Sequence, residues 1–476
     1  MMWWRAASWG KQRPEWFAVD AGVRQGCILS PILFAIWIDG LARTLKQTKV
    51  NSVIQDTKFN FTFFADDIAL LAESREDLQK LLDAAFTYSE SWRFNWNCNK
   101  SKIMCFGCKG KTRRYFLGLQ ELEVVKMFKF LGVDLQQNLA WTTTKHRFAA
   151  KARARLPILK KAMIEGLSVD SGIKLWETLI RPTLEYAAEV WSGGSWPEAD
   201  RIQNAAGRTI LGLFRTTSVE VARGELGWLS LSARREIRLL RYWGKLVKMD
   251  DTRLVKQVFR NCKDRTSMLK GSFCYTVQNL LGSLDLGHLW KTEMIGEPKQ
   301  WEAQLRKSIK QKDKLCWLAA LQDKTKLRTY RILNFRIDLC KEEYLSWEIT
   351  AYQRVLYARL RSGSHQLRIE RGRWAKEFEE ELDRLCKVCA TGKIESETHF
   401  LLDCYVFERY RRAMFNRILQ ETGYDLMSMK DDPNWLLEVL IGDGLLAKET
   451  RRSIGTAVAA FLEVAMRKRA RILKPA

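Results

Sequence analysis

The stretch "TFFADDIALLA", residues 62–72, sets two adjacent aspartates, Asp66 and Asp67, between two short apolar runs. Just before it Phe59, Phe61 and Phe63 alternate with Asn60 and Thr62, the period of two that marks a half-buried strand. Ile68 to Leu71 supply a returning strand, so both aspartates fall at a tight hairpin turn. Aspartate suits turn geometry for purely structural reasons. Whether this pair also binds metal depends on what surrounds it.

Upstream, "GVRQGCILSPILFAIWIDGLARTLK" contains Ser30 and Pro31, an N-cap and first-turn pair. Leu33, Phe34, Trp37, Ile38, Leu41 and Leu45 follow at helical spacing and predict an amphipathic helix. Downstream, Ser74 with Asp77 three residues later opens a second helix, along which Leu78, Leu81, Leu82, Ala85 and Trp92 keep an apolar stripe. "NWNCNKSKIMCFG" and "FKFLGVDL" then read as two short strands. Helices and short strands in mixed order predict an α+β domain, with helices on one face of a small antiparallel sheet. Beyond residue 140 strand signals give way to long helical stretches rich in arginine and lysine, such as "KHRFAAKARARLPILKKAM".

Lys+Arg 80 against Asp+Glu 55 gives a net charge of +25. Such a field favours polyanions: RNA, DNA or an acidic membrane face. The 19 Trp and 22 Phe make base stacking chemically available, although most of them are expected in the core. No run is apolar and long enough to span a membrane, and the first residues lack the apolar stretch of a signal peptide. The 11 Cys are scattered apart from "CKVC", which argues against a disulfide framework and for an intracellular compartment, nucleus or cytoplasm.

"FADD" alone is a weak signal. Preceded by "AGVRQGCILSP" and followed by "NKSK" and "FKFLGV", in this order, it resembles the reverse transcriptases of non-LTR (LINE-type) retrotransposons, most specifically over residues 17–140. The resemblance implies an RNA-directed DNA polymerase using RNA template, DNA primer or target and dNTP. Asp66 and Asp67 would be the catalytic, Mg²⁺-binding pair. Gln25 and Gly26 would position nucleotide and template, with glycine letting the backbone approach the substrate. Lys100 or Lys102 would sit near the triphosphate, with a solvated strand end as the alternative reading. The family's palm also uses a third carboxylate, on a strand several dozen residues before "GVRQG", preceded by a fingers region. About twenty residues stand before that segment here, and Asp20 is on the wrong element to substitute. The expectation is therefore an N-terminally truncated, catalytically impaired reverse transcriptase that is not self-sufficient for retrotransposition. The alternative is a non-catalytic nucleic-acid-binding protein of the same descent.

A second constellation is Cys386, Cys389, His399 and Cys404. Two cysteines with two residues between them, then a histidine and a cysteine, have the ligand types and spacing of a tetrahedral Zn²⁺ site. It resembles the Cys-Cys-His-Cys element of LINE-type enzymes. Beside Arg368, Arg371 and Arg373 it could grip phosphate or simply clip the fold. The basic run Arg467, Lys468, Arg469, Arg471 and Lys474 reads either as a nucleic-acid or nuclear-import segment or as a solvated helix end. The expected domains are a partial palm (1–140), a helical thumb or connection region (141–360), and a basic helical region holding the zinc element (361–476).

Overall fold

The computed structural model describes residues 3–7, 15–19, 22–24, 26–50, 52–54, 57–107, 113–191, 194–267, 270–322, 324–333, 339–375, 378–429, 432–442 and 446–473. Two compact units are formed, one from residues 1–144 with 249–269, the other from 145–248 with 270–476.

The first unit combines helices with short antiparallel hairpins. Strands β1 (Trp3–Ala7) and β2 (Glu15–Val19) pair ahead of helix α1 (Ser30–Gln47). Strands β3 (Ser52–Ile54) and β4 (Thr57–Phe59) form the next hairpin, and β5 (Phe61–Phe64) with β6 (Asp67–Leu70) the one after. Helix α2 (Arg75–Ser91) is followed by β7 (Phe116–Leu117) with β8 (Gln120–Glu121), then β9 (Met127–Phe130) with β10 (Val133–Gln136). Among the described residues these remain separate two-stranded pairs rather than one sheet.

Helix α1 begins at Ser30 itself, with Leu29 in the capping position; the Ser30 hydroxyl donates to the Arg24 carbonyl at 2.6 Å, so it ties down the incoming loop rather than capping the helix. Ile38, Leu41 and Leu45 are buried as the spacing predicts, while Leu33 is exposed. They pack with Leu81, Ala85 and Tyr88 of α2 into a small core, against which Phe61, Phe63, Ile68 and Leu70 of the β5–β6 hairpin are seated. Gly40 permits this approach, because a Cβ there would lie 2.5 Å from the Tyr88 hydroxyl. Ser74 caps α2 as expected, accepting from the Asp77 amide at 3.0 Å.

Two segments depart from the sequence pattern. The alternation of Phe59, Phe61 and Phe63 does not form one strand: Asn60 is buried between β4 and β5 and donates its carboxamide to the Leu45 carbonyl at 3.0 Å. "NWNCNKSKIMCFG" is largely irregular, because Asn97 gathers the amides of Lys100 and Ser101 into a turn and only Ile103 bridges to Val124. "FKFLGVDL" lies in an antiparallel hairpin, β9 with β10.

The second unit is helical. Trp176, Trp191, Trp243 and Trp317 are among its fully buried side chains, which places them in the core rather than on a stacking surface. Its first long helix, α3 (Thr142–Ile164), exposes Lys151, Arg153, Lys160 and Lys161. No described helix is long and apolar enough to cross a membrane.

Candidate catalytic turn and metal centre

The two aspartates sit where the hairpin reverses. Phe64 pairs with Asp67, leaving Ala65 and Asp66 as a two-residue loop. Ala65 has a φ of 52°. A left-handed alanine costs on the order of 1 kcal/mol, and such strain is retained where surrounding structure fixes the backbone. Cross-strand pairs Phe61–Leu70 and Phe63–Ile68, anchored on the core, supply that fixation. Both carboxylates are exposed. Among the described residues no third carboxylate, cysteine or histidine joins them in a metal-sized cluster.

The other residues drawn from the first unit's motifs are placed as follows. Gln25 and Asp20 lie outside the described residues. Gly26 has a φ of 81° and open space where a Cβ would stand, so its backbone is accessible. Lys100 is exposed on the Asn97 turn, whereas Lys102 is paired with Glu123 at 2.7 Å.

The second constellation does converge. Cys386, Cys389, His399 and Cys404 are all buried, and their ligand atoms lie within 4.8 Å of one another. Cys386 follows the Leu385–Ile394 bridge, its amide bonded to the Lys393 carbonyl, so the chain folds back after Cys389. Ala390 and Gly392 take positive φ in that reversal. His399 opens a π-helical turn ending at Asp403, and the Cys404 amide returns to the His399 carbonyl at 2.8 Å.

The donor set fits zinc. Tetrahedral bonds of roughly 2.3 Å to sulfur and 2.0 Å to nitrogen put neighbouring ligand atoms about 3.5 Å apart, and Cys389 Sγ lies 3.4 Å from His399 Nε2. Burial pushes the Cys404 thiol up to about 12 and raises Cys386 as well. Burial opposes ionisation of Cys389 too, but hydrogen bonds from Thr391 bring its thiol below the ordinary value. Burial lowers His399, keeping its imidazole neutral near pH 7, the form that ligates metal. A divalent cation would stabilise the thiolates that burial disfavours.

Three residues around this centre are not legible as site residues from the sequence. Arg411 is buried and donates to the Leu401 and Cys404 carbonyls, each at 2.7 Å. Glu395, between the ligand halves, forms a two-pronged ion pair with Arg469. Of the arginines before the centre, Arg368 is paired with Glu379 and Arg373 with Glu370, while Arg371 is exposed. The basic run is likewise partly engaged: Arg467 pairs with Glu463, and Lys468 donates to the Val406 carbonyl.

Against this geometry, residues 2–135 match the family described as reverse transcriptase (RNA-dependent DNA polymerase). The chain is 28% identical to the RNA-directed DNA polymerase from mobile element jockey of Drosophila funebris, over 36% of this chain and 19% of that protein. It is 27% identical to the probable RNA-directed DNA polymerase from transposon X-element of Drosophila melanogaster, over 41% of this chain and 22% of the relative. With the Pol polyprotein from type-1 retrotransposable element R2 of Nasonia vitripennis it shares 40% identity, over 37% of this chain and 20% of the relative. The chain thus spans 19% to 22% of the length of these three proteins. The first unit's hairpins and helices carry a reverse-transcriptase segment. Over these parts the chain is similar to reverse transcriptases of LINE-type, non-LTR retrotransposons.

Proposed function

We propose that this chain supplies the metal-binding turn of an RNA-directed DNA polymerase, joined to a basic helical region that grips nucleic acid and to a zinc module. The observation that carries this reading is the presentation of Asp66 and Asp67, exposed, on an anchored hairpin inside the matched segment. Their oxygens suit Mg²⁺, a hard cation that keeps several waters. Bound there, Mg²⁺ would activate the primer hydroxyl and stabilise the leaving pyrophosphate. Gly26 would let the dNTP approach the backbone, and Lys100, exposed beside the Asn97 turn, would meet its phosphates. The exposed lysines and arginine of α3 would follow the backbones of RNA template and DNA primer. Cys386, Cys389, His399 and Cys404 would hold Zn²⁺.

A non-catalytic nucleic-acid binder is the second reading. It is favoured by the charge of +25 and by the lack, among the described residues, of a third carboxylate beside the aspartate pair. In-line displacement needs two ions held in register, and two carboxylates on one turn constrain them poorly.

One experiment addresses both readings. Extension of a DNA primer on an RNA template by the purified chain, with Mg²⁺, is expected at trace level and is abolished by Asp66→Ala. The same variant is expected to bind RNA as the parent does, with affinity falling steeply as salt rises. Robust extension would overturn the weak-catalyst expectation, and failure to bind RNA at low salt would overturn both readings.

A further inference from the structure

The end of the last helix (Lys448–Ile472) is built into the loop that carries the four ligands. Arg469 is buried and donates from Nε and Nη2 to the two oxygens of Glu395, at 2.7 and 2.8 Å. Glu395 stands between Cys389 and His399 in sequence, is itself buried, and accepts from the Arg368 amide at 2.8 Å. About two turns earlier, Phe461 packs its ring against Phe400, the residue after His399, with centroids 5.8 Å apart. Lys468 donates to the Val406 carbonyl, two residues past Cys404, and lies over the Tyr410 ring. Three side chains of the helix therefore seat on residues 395–406, a segment whose course depends on holding His399 and Cys404 beside Cys386 and Cys389.

We propose that Glu395 and Arg469 form a latch that couples occupancy of the metal centre to the docking of the helix end. The proposal rests on the zinc reading of the centre given above. With the four ligands drawn together by a cation, the loop holds Glu395 at the depth Arg469 needs. Three thiolates and a neutral imidazole around a divalent ion carry one net negative charge, and the Arg411 guanidinium, bonded to the carbonyls of Leu401 and Cys404, lies where it offsets that charge. The Glu395–Arg469 pair is neutral as a unit, so it can stay buried beside the centre. If the cation leaves, the ligands no longer hold the loop together, and Arg469 is left as a buried charge without a fixed partner. A buried, uncompensated charge is strongly disfavoured. The helix end undocks, and Lys468 and Arg469 join the already exposed Arg467 and Arg471 in one basic run. By linkage, anything that breaks the latch weakens metal binding by the same factor.

Hydrogen exchange on the full chain tests the coupling, with zinc bound and after removal by a strong chelator. Amides of residues 466–472 are expected to lose protection together with those of 386–404, while amides of the distant helix Leu231–Val247 stay as they were. Arg469→Gln is expected to weaken zinc binding about tenfold, within the usual span of coupling between sites. Arg469→Lys keeps the charge but not the two-pronged fork and should fall between parent and Gln variant. Loss of protection confined to 386–404, or unchanged zinc affinity in Arg469→Gln, overturns the latch and leaves the metal centre standing. A folded chain that takes up no zinc overturns the metal reading and the latch with it.

Discussion

Cys386→Ser is expected to abolish stoichiometric zinc binding, measured as one zinc per chain in the parent, and to unfold residues 384–407 locally without melting the second unit. Structural zinc sites hold their folds with apparent energies on the order of 10 kcal/mol, and here the metal would act beside the buried pairs Glu395–Arg469 and Glu397–His365 on the loop between ligand pairs. That loop is closed by the isolated Leu385–Ile394 bridge and by two residues in positive φ, Ala390 and Gly392. The core formed by Trp176, Trp191, Trp243 and Trp317 belongs to other helices, so global helicity should survive. Binding also depends on pH, and its sign follows from the thiols. Burial raises Cys386, and pushes Cys404 up to about 12, so near neutrality both hold protons that a metal must displace. Protons therefore compete with zinc: affinity falls as pH falls, by roughly 100-fold per unit when two protons are released. Competition against a chelator between pH 8 and pH 6.5 would measure that slope. A flat profile, or a metal-free parent whose 386–404 amides are protected, would refute the ligand assignment.

Local features of this chain are the ones its sequence exposes. The β5–β6 hairpin follows from alternation over a few residues, and the start of α2 follows from Ser74 and Asp77, because partner and position lie within one turn of chain. The four metal ligands stand out for the same reason, being uncommon residue types at short fixed spacing. Asn60 shows what alternation conceals. A polar residue between phenylalanines reads as solvent-facing, yet its carboxamide satisfies the carbonyl of Leu45, fifteen residues back, and splits the strand. At Asn97 local chemistry also wins, since its side chain accepts from the Lys100 amide and its carbonyl from the Lys100 and Ser101 amides, which competes with strand pairing.

The supports of the metal centre are hidden for a different reason. Glu395 and Arg469 are 74 residues apart, and each alone reads as an ordinary surface charge in a charged stretch. Nothing in periodicity marks which of the many arginines is buried. The same holds for the basic run near Arg467, where two of the side chains that suggest a free polyanion-binding segment are committed to Glu463 and Glu395. A charge count gives the field of the chain, but not which charges remain available to a ligand.

The largest effect of a single substitution on the second unit's stability is expected at Arg361→Met. Arg361 is fully buried, and so is Glu225. Its guanidinium meets Glu225 through Nε and Nη2, donates to Glu342 at 2.8 Å, and donates from Nη1 to the Ile441 carbonyl near the end of the helix Pro433–Ile441. It also lies 5.1 Å from the centroid of the Tyr344 ring. One cation thus joins the helices Val219–Leu226, Ala351–Arg361 and Pro433–Ile441 with the Glu342–Tyr344 segment. Two carboxylates share it, and the tyrosines beside them are held neutral: burial, with Glu225 and Glu342 adding to it, pushes the Tyr330 and Tyr344 hydroxyls well above their ordinary range. Methionine fills much of the volume but removes the guanidinium that Glu225 and Glu342 share, and breaking a buried pair in this way costs about 3–5 kcal/mol. Glu225→Gln should cost less, because Arg361 keeps Glu342, the Ile441 carbonyl and a neutral acceptor of the same shape. Combining the two changes should be less damaging than their sum, since removing one carboxylate relieves the repulsion created by losing the arginine. Urea unfolding followed by far-ultraviolet circular dichroism measures all three variants against the parent. Equal, small losses in both single variants would mean that the network is solvated in solution rather than buried, and would remove the charge balance as the reason these helices meet.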